Sequence, residues 1–167
     1  MRLLRIILKV LNMSDVLFEY KHTLSFGYVG MPGGGSIVVL SDGSILHRNF
    51  TFGNEEPTAE DKIAFMPEIA VLIEKVLISH KADLKKISSN LNNGSLDGSH
   101  DSFQFGKKKI SSWNISRTDL SGVKQKNPDY YQEYQDNMIQ ENRVLDIYNE
   151  IISILNEFGI GLELKKK

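Results

Sequence analysis

The chain has 167 residues, 20 Lys and Arg against 21 Asp and Glu, and a net charge of −1, so no global basic field of the kind that drives nucleic-acid binding is present. It contains no cysteine, which excludes a disulfide framework, thiol catalysis and Cys-ligated zinc or iron–sulfur sites and suits a reducing cytoplasmic setting. A hydrophobic content of 41% and a charged content of 25% are those of an ordinary globular protein, and the length predicts one domain with a real core.

No run approaches the roughly 18 apolar residues that span a bilayer, so no membrane span is expected. Residues 1–12, MRLLRIILKVLN, form an N-terminal extension. Arg5 and Lys9 interrupt its apolar run and no small-residue cleavage site follows, which argues against a signal peptide. On a helical wheel Arg2, Arg5 and Lys9 share a face, so the segment reads as a locally packed helix, a membrane-surface helix, or a disordered or non-native stretch before a start at Met13. The first and last of these are preferred. The domain proper is expected over 13–164, with Lys165–Lys167 a disordered basic tail.

From Phe18 to Phe26, Phe18, Tyr20, Leu24 and Phe26 alternate with Glu19, Lys21, Thr23 and Ser25, the period of a half-buried strand. His22 falls on its apolar face and reads as a satisfied core or edge histidine. Gly27–Gly35 is glycine-rich but lacks both G-K-[ST] and G-x-G-x-x-G and leads into a strand, so it reads as a hairpin loop that can touch a partner. Ser36–Leu40 and Ser44–Phe52 flank Asp42-Gly43, a hairpin signal because glycine accepts the positive φ of the tight turn. Whether His47 on the third strand meets His22 depends on register and face, which local sequence does not fix.

Thr58 and Asp61 resemble a capping box, predicting a helix from about Ala59 that Pro67 either kinks or ends as a first short helix. Beyond Pro67, Ile69, Leu72, Ile73, Val76 and Leu77 recur at helical spacing, and His80 prolongs this face. Lys81–Ile87 is a basic connector or a further helical turn. Ser88–Ser102 is the most polar loop; its Asp97, His100 and Asp101 match neither a calcium loop nor a zinc pattern, and Asn93-Gly94 and Asp97-Gly98 read as turns. No metal or other cofactor is expected. A second hairpin follows, Ser102–Phe105 and Lys109–Ile115 across Gly106, with Lys107–Lys109 at its turn. Arg117–Lys126 is a polar link, and Ile160–Leu164 reads as a short last strand or a loosely packed end.

Pro128–Phe158 is one long helix: Asn127 caps it, Pro128 takes its first position, Asp129 suits its dipole and Gly159 ends it. At 100° per residue, Val144, Leu145, Ile147, Tyr148, Ile151, Ile152, Ile154, Leu155 and Phe158 cover about half the circumference. In the first half only Tyr131, Tyr134 and Met138 form a stripe. From Asn127 to Glu150 there are six acidic residues and one basic, Arg143. The helix is therefore anchored by its second half, and its acidic first half leaves the core, either as a solvated face or as a docking face for a basic partner. The predicted fold is α+β, an antiparallel sheet (a meander plus a second hairpin) packed against a kinked helix and a long C-terminal helix.

No carboxylate pair, activated nucleophile or ligand cluster stands at interpretable spacing. A binding protein accounts for more of these features, since Asp129, Tyr131, Glu133, Tyr134, Asp136 and Glu141 supply carboxylates and aromatic contact area on one half-helix. The alternatives are a small enzyme with a spatially assembled His/Asp site and a homo-oligomeric structural module. The SDG hairpin, the stretch NNGSLDGSHDSFQFGKKKISSWNIS and the acidic terminal helix resemble immunity proteins of contact-dependent inhibition and related polymorphic toxin systems, small bacterial proteins encoded beside secreted toxins. The resemblance is one of organisation and carries over no functional residue. It implies a cytoplasmic protein that binds one cognate toxin domain, often a basic nuclease, and blocks it.

Overall fold

A computed structural model of the chain describes residues 14–91 and 98–162. The expectations for residues 1–13, Asn93-Gly94, Asp97 and 163–167 lie outside the described residues. The strands are β1 (Val16–Leu24), β2 (Pro32–Leu40), β3 (Ser44–Thr51), β4 (Ala59–Phe65), β5 (Asn90–Leu91), β6 (Ser99–Phe105) and β7 (Lys108–Trp113). The helices are α1 (Pro67–Ser79), α2 (Lys81–Lys86), α3 (Leu120–Lys126) and α4 (Pro128–Glu157). The fold is α+β, as the alternation and helical spacing predict.

The strands form one sheet in the order β4-β3-β2-β1-β6-β7-β5, antiparallel except for β5 against β7. β1 lies in the middle because it carries apolar side chains for the core and has β2 on one flank and β6 on the other. The meander and the second hairpin thus join into a single sheet. At Asp42-Gly43 the chain turns with Gly43 at φ +88°, and the Asp42 carboxylate accepts the Ser44 N–H at 2.8 Å.

The predicted helix over 59–66 is a strand. Nearly every residue of β4 is exposed, because it is the outermost strand and its residues have no packed layer above them. The Thr58 hydroxyl caps nothing; it donates to the Asn49 carbonyl, holding β4 to β3. Pro67 opens α1 at its first turn rather than kinking a longer helix, where its missing N–H has no intrahelical partner to lose. The chain bends instead at His80, between α1 and α2, and the His80 ring meets the Glu150 carboxylate of α4 at 2.7 Å.

α1 and α4 cover one face of the sheet. Ile69, Ile73 and Val76 of α1 and Leu145, Ile147, Ile151, Ile152 and Leu155 of α4 are buried against Phe18, Ile37, Val39, Ile45, Phe103, Phe105 and Ile110. Each fully buried side chain of this kind stabilises by roughly 1.5–3 kcal/mol. Tyr148 is the centre of an aromatic cluster, its ring centroid 4.9 Å from Tyr20, 5.6 Å from Phe103 and 6.3 Å from Phe18. α4 begins and ends as its sequence requires. The Asn127 side chain accepts the Tyr130 N–H, and past Gly159 (φ +85°) the Ile160 N–H reaches back to the Leu155 carbonyl at 2.9 Å.

The polar link before α4 is partly helical. α3 packs along the first half of α4, and Asn142 clamps the chain ahead of it, accepting the Thr118 N–H and donating to the Thr118 carbonyl, each at 2.9 Å. A cavity of about 570 Å³ lies beside this clamp, lined by Arg117, Asp119 and Leu120 among others; Arg117 is ion-paired with Asp146. Among the described residues no helix is long and apolar enough to cross a membrane.

Candidate functional site

The first half of α4 carries all six residues expected at a partner surface, and five of them are not buried. Asp129, Glu133 and Asp136 are exposed. None of the three takes part in an ion pair among the described residues. A hydrogen bond to the Glu133 carboxylate holds the Tyr134 hydroxyl above its ordinary pKa, the charge of Glu133 acting the same way. Tyr131 turns toward α3, where the Lys124 ammonium lies 5.7 Å from its ring centroid. The exposed aromatic partner of Tyr134 is Tyr130, one turn earlier, at a centroid distance of 4.8 Å. Tyr130 was not among the expected residues, although its i,i+4 spacing to Tyr134 is a legible signal.

Glu141 is a correction. It is only 2% exposed and cannot belong to a partner surface. It faces the sheet, where its carboxylate accepts the hydroxyl of Ser112, itself fully buried, at 2.6 Å. Burying a carboxylate is costly without such a donor, and this one ties α4 to β7.

Beside that pair the sheet register assembles a second polar group. His22, Asp101 and Ser112 lie in one cross-strand row over β1, β6 and β7, with Gly35 and Asn49 continuing it on β2 and β3. Asp101 is 1% exposed; it accepts the Tyr20 hydroxyl at 2.7 Å, and the His22 Nδ1 lies 3.0 Å from the same carboxylate oxygen. Burial, reinforced by the Asp101 hydrogen bond and charge, pushes the Tyr20 hydroxyl far above its ordinary range, so it stays protonated and donates. His22 is thus a satisfied histidine, as expected, and its partner is Asp101.

His47 lies on the same face, in the neighbouring row with Tyr20 and Ile37. Its Nε2 is 3.6 Å from the point where a Cβ on Gly35 would stand, so the bare backbone of Gly35 separates the two histidine strands. The face therefore agrees, but the register sets His47 one row from His22 with β2 between their strands. His100 does not join them: as the neighbour of Asp101 it points to the opposite face, where its ring meets Trp113 at 5.1 Å. Burial keeps the His100 ring below its ordinary pKa, the positive charge of Lys21 adding to this and Asp101 opposing it. His100 and Asp101 thus do not converge, and among the described residues no group of three or more His, Asp or Glu is placed to hold a metal ion.

The hairpin loop between β1 and β2 is the other exposed feature. Phe26, Tyr28 and Val29 are 69%, 85% and 87% exposed, respectively. No known family model matches the chain, and no curated protein matches it.

Proposed function

We propose that this is a binding protein that engages a basic partner through the first half of α4, in the manner of an immunity protein neutralising its cognate toxin domain in the cytoplasm. The observation that carries this reading is the exposure of Asp129, Glu133 and Asp136, free of ion pairs among the described residues, on a helix whose second half is fixed in the core. Such carboxylates give up no ion pair when a cationic surface approaches, and the fixed helix presents them at constant spacing. Complementary charge of this kind speeds encounter and selects the partner, while Tyr130 and Tyr134 supply contact area at low entropic cost. The toxin is the partner of first choice because a nuclease domain is basic, and three carboxylates in its substrate channel would repel or displace a phosphate backbone.

The experiment is a tagged pull-down from source cells at low and high salt, repeated with Asp129, Glu133 and Asp136 changed to Lys. The expected result is one stoichiometric basic protein, released by salt and lost with the triple variant. Retention of that partner by the triple variant, with unchanged salt dependence, would refute the assignment. A second reading rests on His22, which the buried Asp101 orients on a face that Gly35 leaves open; a small enzyme would use it as a general base. That reading requires an activity abolished by His22→Ala in protein that still binds its partner.

A further inference from the structure

Two basic stretches that are separate in the chain come together at one corner of the fold. The β6–β7 turn sits against the end of α1, with the Gly106 Cβ position 3.8 Å from the Leu77 Cδ1. A groove of about 320 Å³ opens there, floored by Leu77, Leu84, Phe105 and Gly106. Its rim is Lys81 and Lys85 from α2 and Lys107 and Lys108 from the turn, and no carboxylate lines it. None of these four lysines takes part in an ion pair among the described residues.

We propose that this groove docks an acidic segment of a partner protein, one bulky apolar side chain entering the floor while flanking carboxylates meet the lysines. The charge is complementary to such a segment on every side. The pairing of a small apolar floor with a lysine rim decides the class of partner. Leu84 and Phe105 are 8% and 2% exposed, so the half-buried Leu77 supplies most of the apolar surface open between the lysines. So small an apolar floor offers a bilayer no broad face to enter, and a phosphate backbone gains nothing from it. A side chain projecting from a peptide uses both parts, as anchor residues at interfaces do. The groove is distinct from the acidic surface of α4. The two share no lining residue, although α2 runs back along α4 from His80 at Glu150 to Ser88, whose N–H donates to the Gln140 side chain one turn from Asp136.

The test is fluorescence anisotropy with a labelled peptide in which one Trp is flanked by Asp and Glu. The same peptide with Ala for Trp, phosphatidylserine vesicles and a single-stranded oligonucleotide serve as competing probes. The Trp peptide is expected to bind about 30-fold more tightly than the Ala peptide. K81E/K108E should lose that binding, while E133K/D136K should retain it, which separates this site from the α4 surface. Equal binding of both peptides, preference for vesicles or oligonucleotide, or no binding at all would each overturn the proposal. So would self-association, seen by sedimentation, that both variants abolish, because the occupant would then be α4 of a second copy.

Discussion

Adjacent glycines in β2 should respond very differently to the same added methyl group. Gly34 has φ +145°, and a Cβ there would stand 2.0 Å from the His22 carbonyl oxygen and 2.9 Å from the Thr23 Cα. Both neighbours are backbone of the paired strand β1, which Phe18 and Tyr20 fix in the core, so neither can turn aside. Relief requires β1 and β2 to part by about 1 Å, a strain of the overpacking kind that costs about 1–3 kcal/mol. The unfavourable φ adds about 1–2 kcal/mol. Gly34→Ala should therefore destabilise by roughly 2–5 kcal/mol, which for a chain of this size lowers Tm by roughly 5–20 °C. At Gly35 the nearest atoms are the Arg48 carbonyl oxygen at 3.3 Å and the His47 Nε2 at 3.6 Å. Its φ is ordinary and the histidine can move, so Gly35→Ala should stay within about 1 kcal/mol of the parent, helped by the lower entropy of the unfolded chain. Urea unfolding followed by circular dichroism measures both. Equal destabilisation of the two variants, or a Gly34→Ala protein as stable as the parent, would refute the register of β1 against β2.

Three further outcomes follow from the polar groups. Asp101→Ala removes the acceptor of the Tyr20 hydroxyl at a cost of about 1–3 kcal/mol, while the His22 ring, 38% exposed, can turn to water; the double variant Tyr20→Phe/Asp101→Ala should recover part of the loss in a denaturation cycle. Tyr20, held protonated by burial and by Asp101, should not ionise with the exposed tyrosines in an absorbance titration near 295 nm. Because its folded pKa is raised, its contribution is complete below the unfolded value of about 10 and is lost as pH rises above it. Unfolding and ionisation of Tyr20 should thus coincide, and Tyr20→Phe should move the alkaline unfolding to higher pH. His100 has the opposite sense: burial depresses its folded pKa, so its contribution is present above about pH 6.5 and lost as pH falls through the depressed value. His100→Asn should flatten the stability profile between about pH 7.5 and 5 relative to the parent.

The features legible in the sequence are those fixed by neighbours in the chain. The Asp42-Gly43 hairpin, the Pro67 helix and the whole of α4 follow from turn chemistry, caps and period, because each signal acts within a few residues. β4 escaped for a physical reason. A strand at the sheet's edge that touches the core only through Ala64 has little apolar alternation to display, whereas Thr58, Asp61 and Pro67 offer the local marks of a helix. α3 was hidden likewise, since a seven-residue helix with no buried residue carries no stripe.

Glu141 shows the same limit within α4. Its charge places it with Asp129, Glu133 and Asp136, and on the helix alone nothing separates them. The separation comes from Ser112, 29 residues away, whose hydroxyl is the donor that makes burial of that carboxylate tolerable. Asp101 meets Tyr20 and His22 across about 80 residues for the same reason: β1 pairs with β6, and that pairing is decided by the shared core rather than by either segment. The lysines of α2 and of the β6–β7 turn are likewise innocuous as separate runs, each sufficient to keep its own segment solvated. Only the packing of α1 against that turn makes them one rim around an apolar floor. In this chain the net charge near zero therefore conceals two local fields of opposite sign, the carboxylates at the start of α4 and the lysines around Leu84 and Phe105. Because the two surfaces are built from different elements and share no residue, one molecule can meet a basic surface through one and an acidic surface through the other.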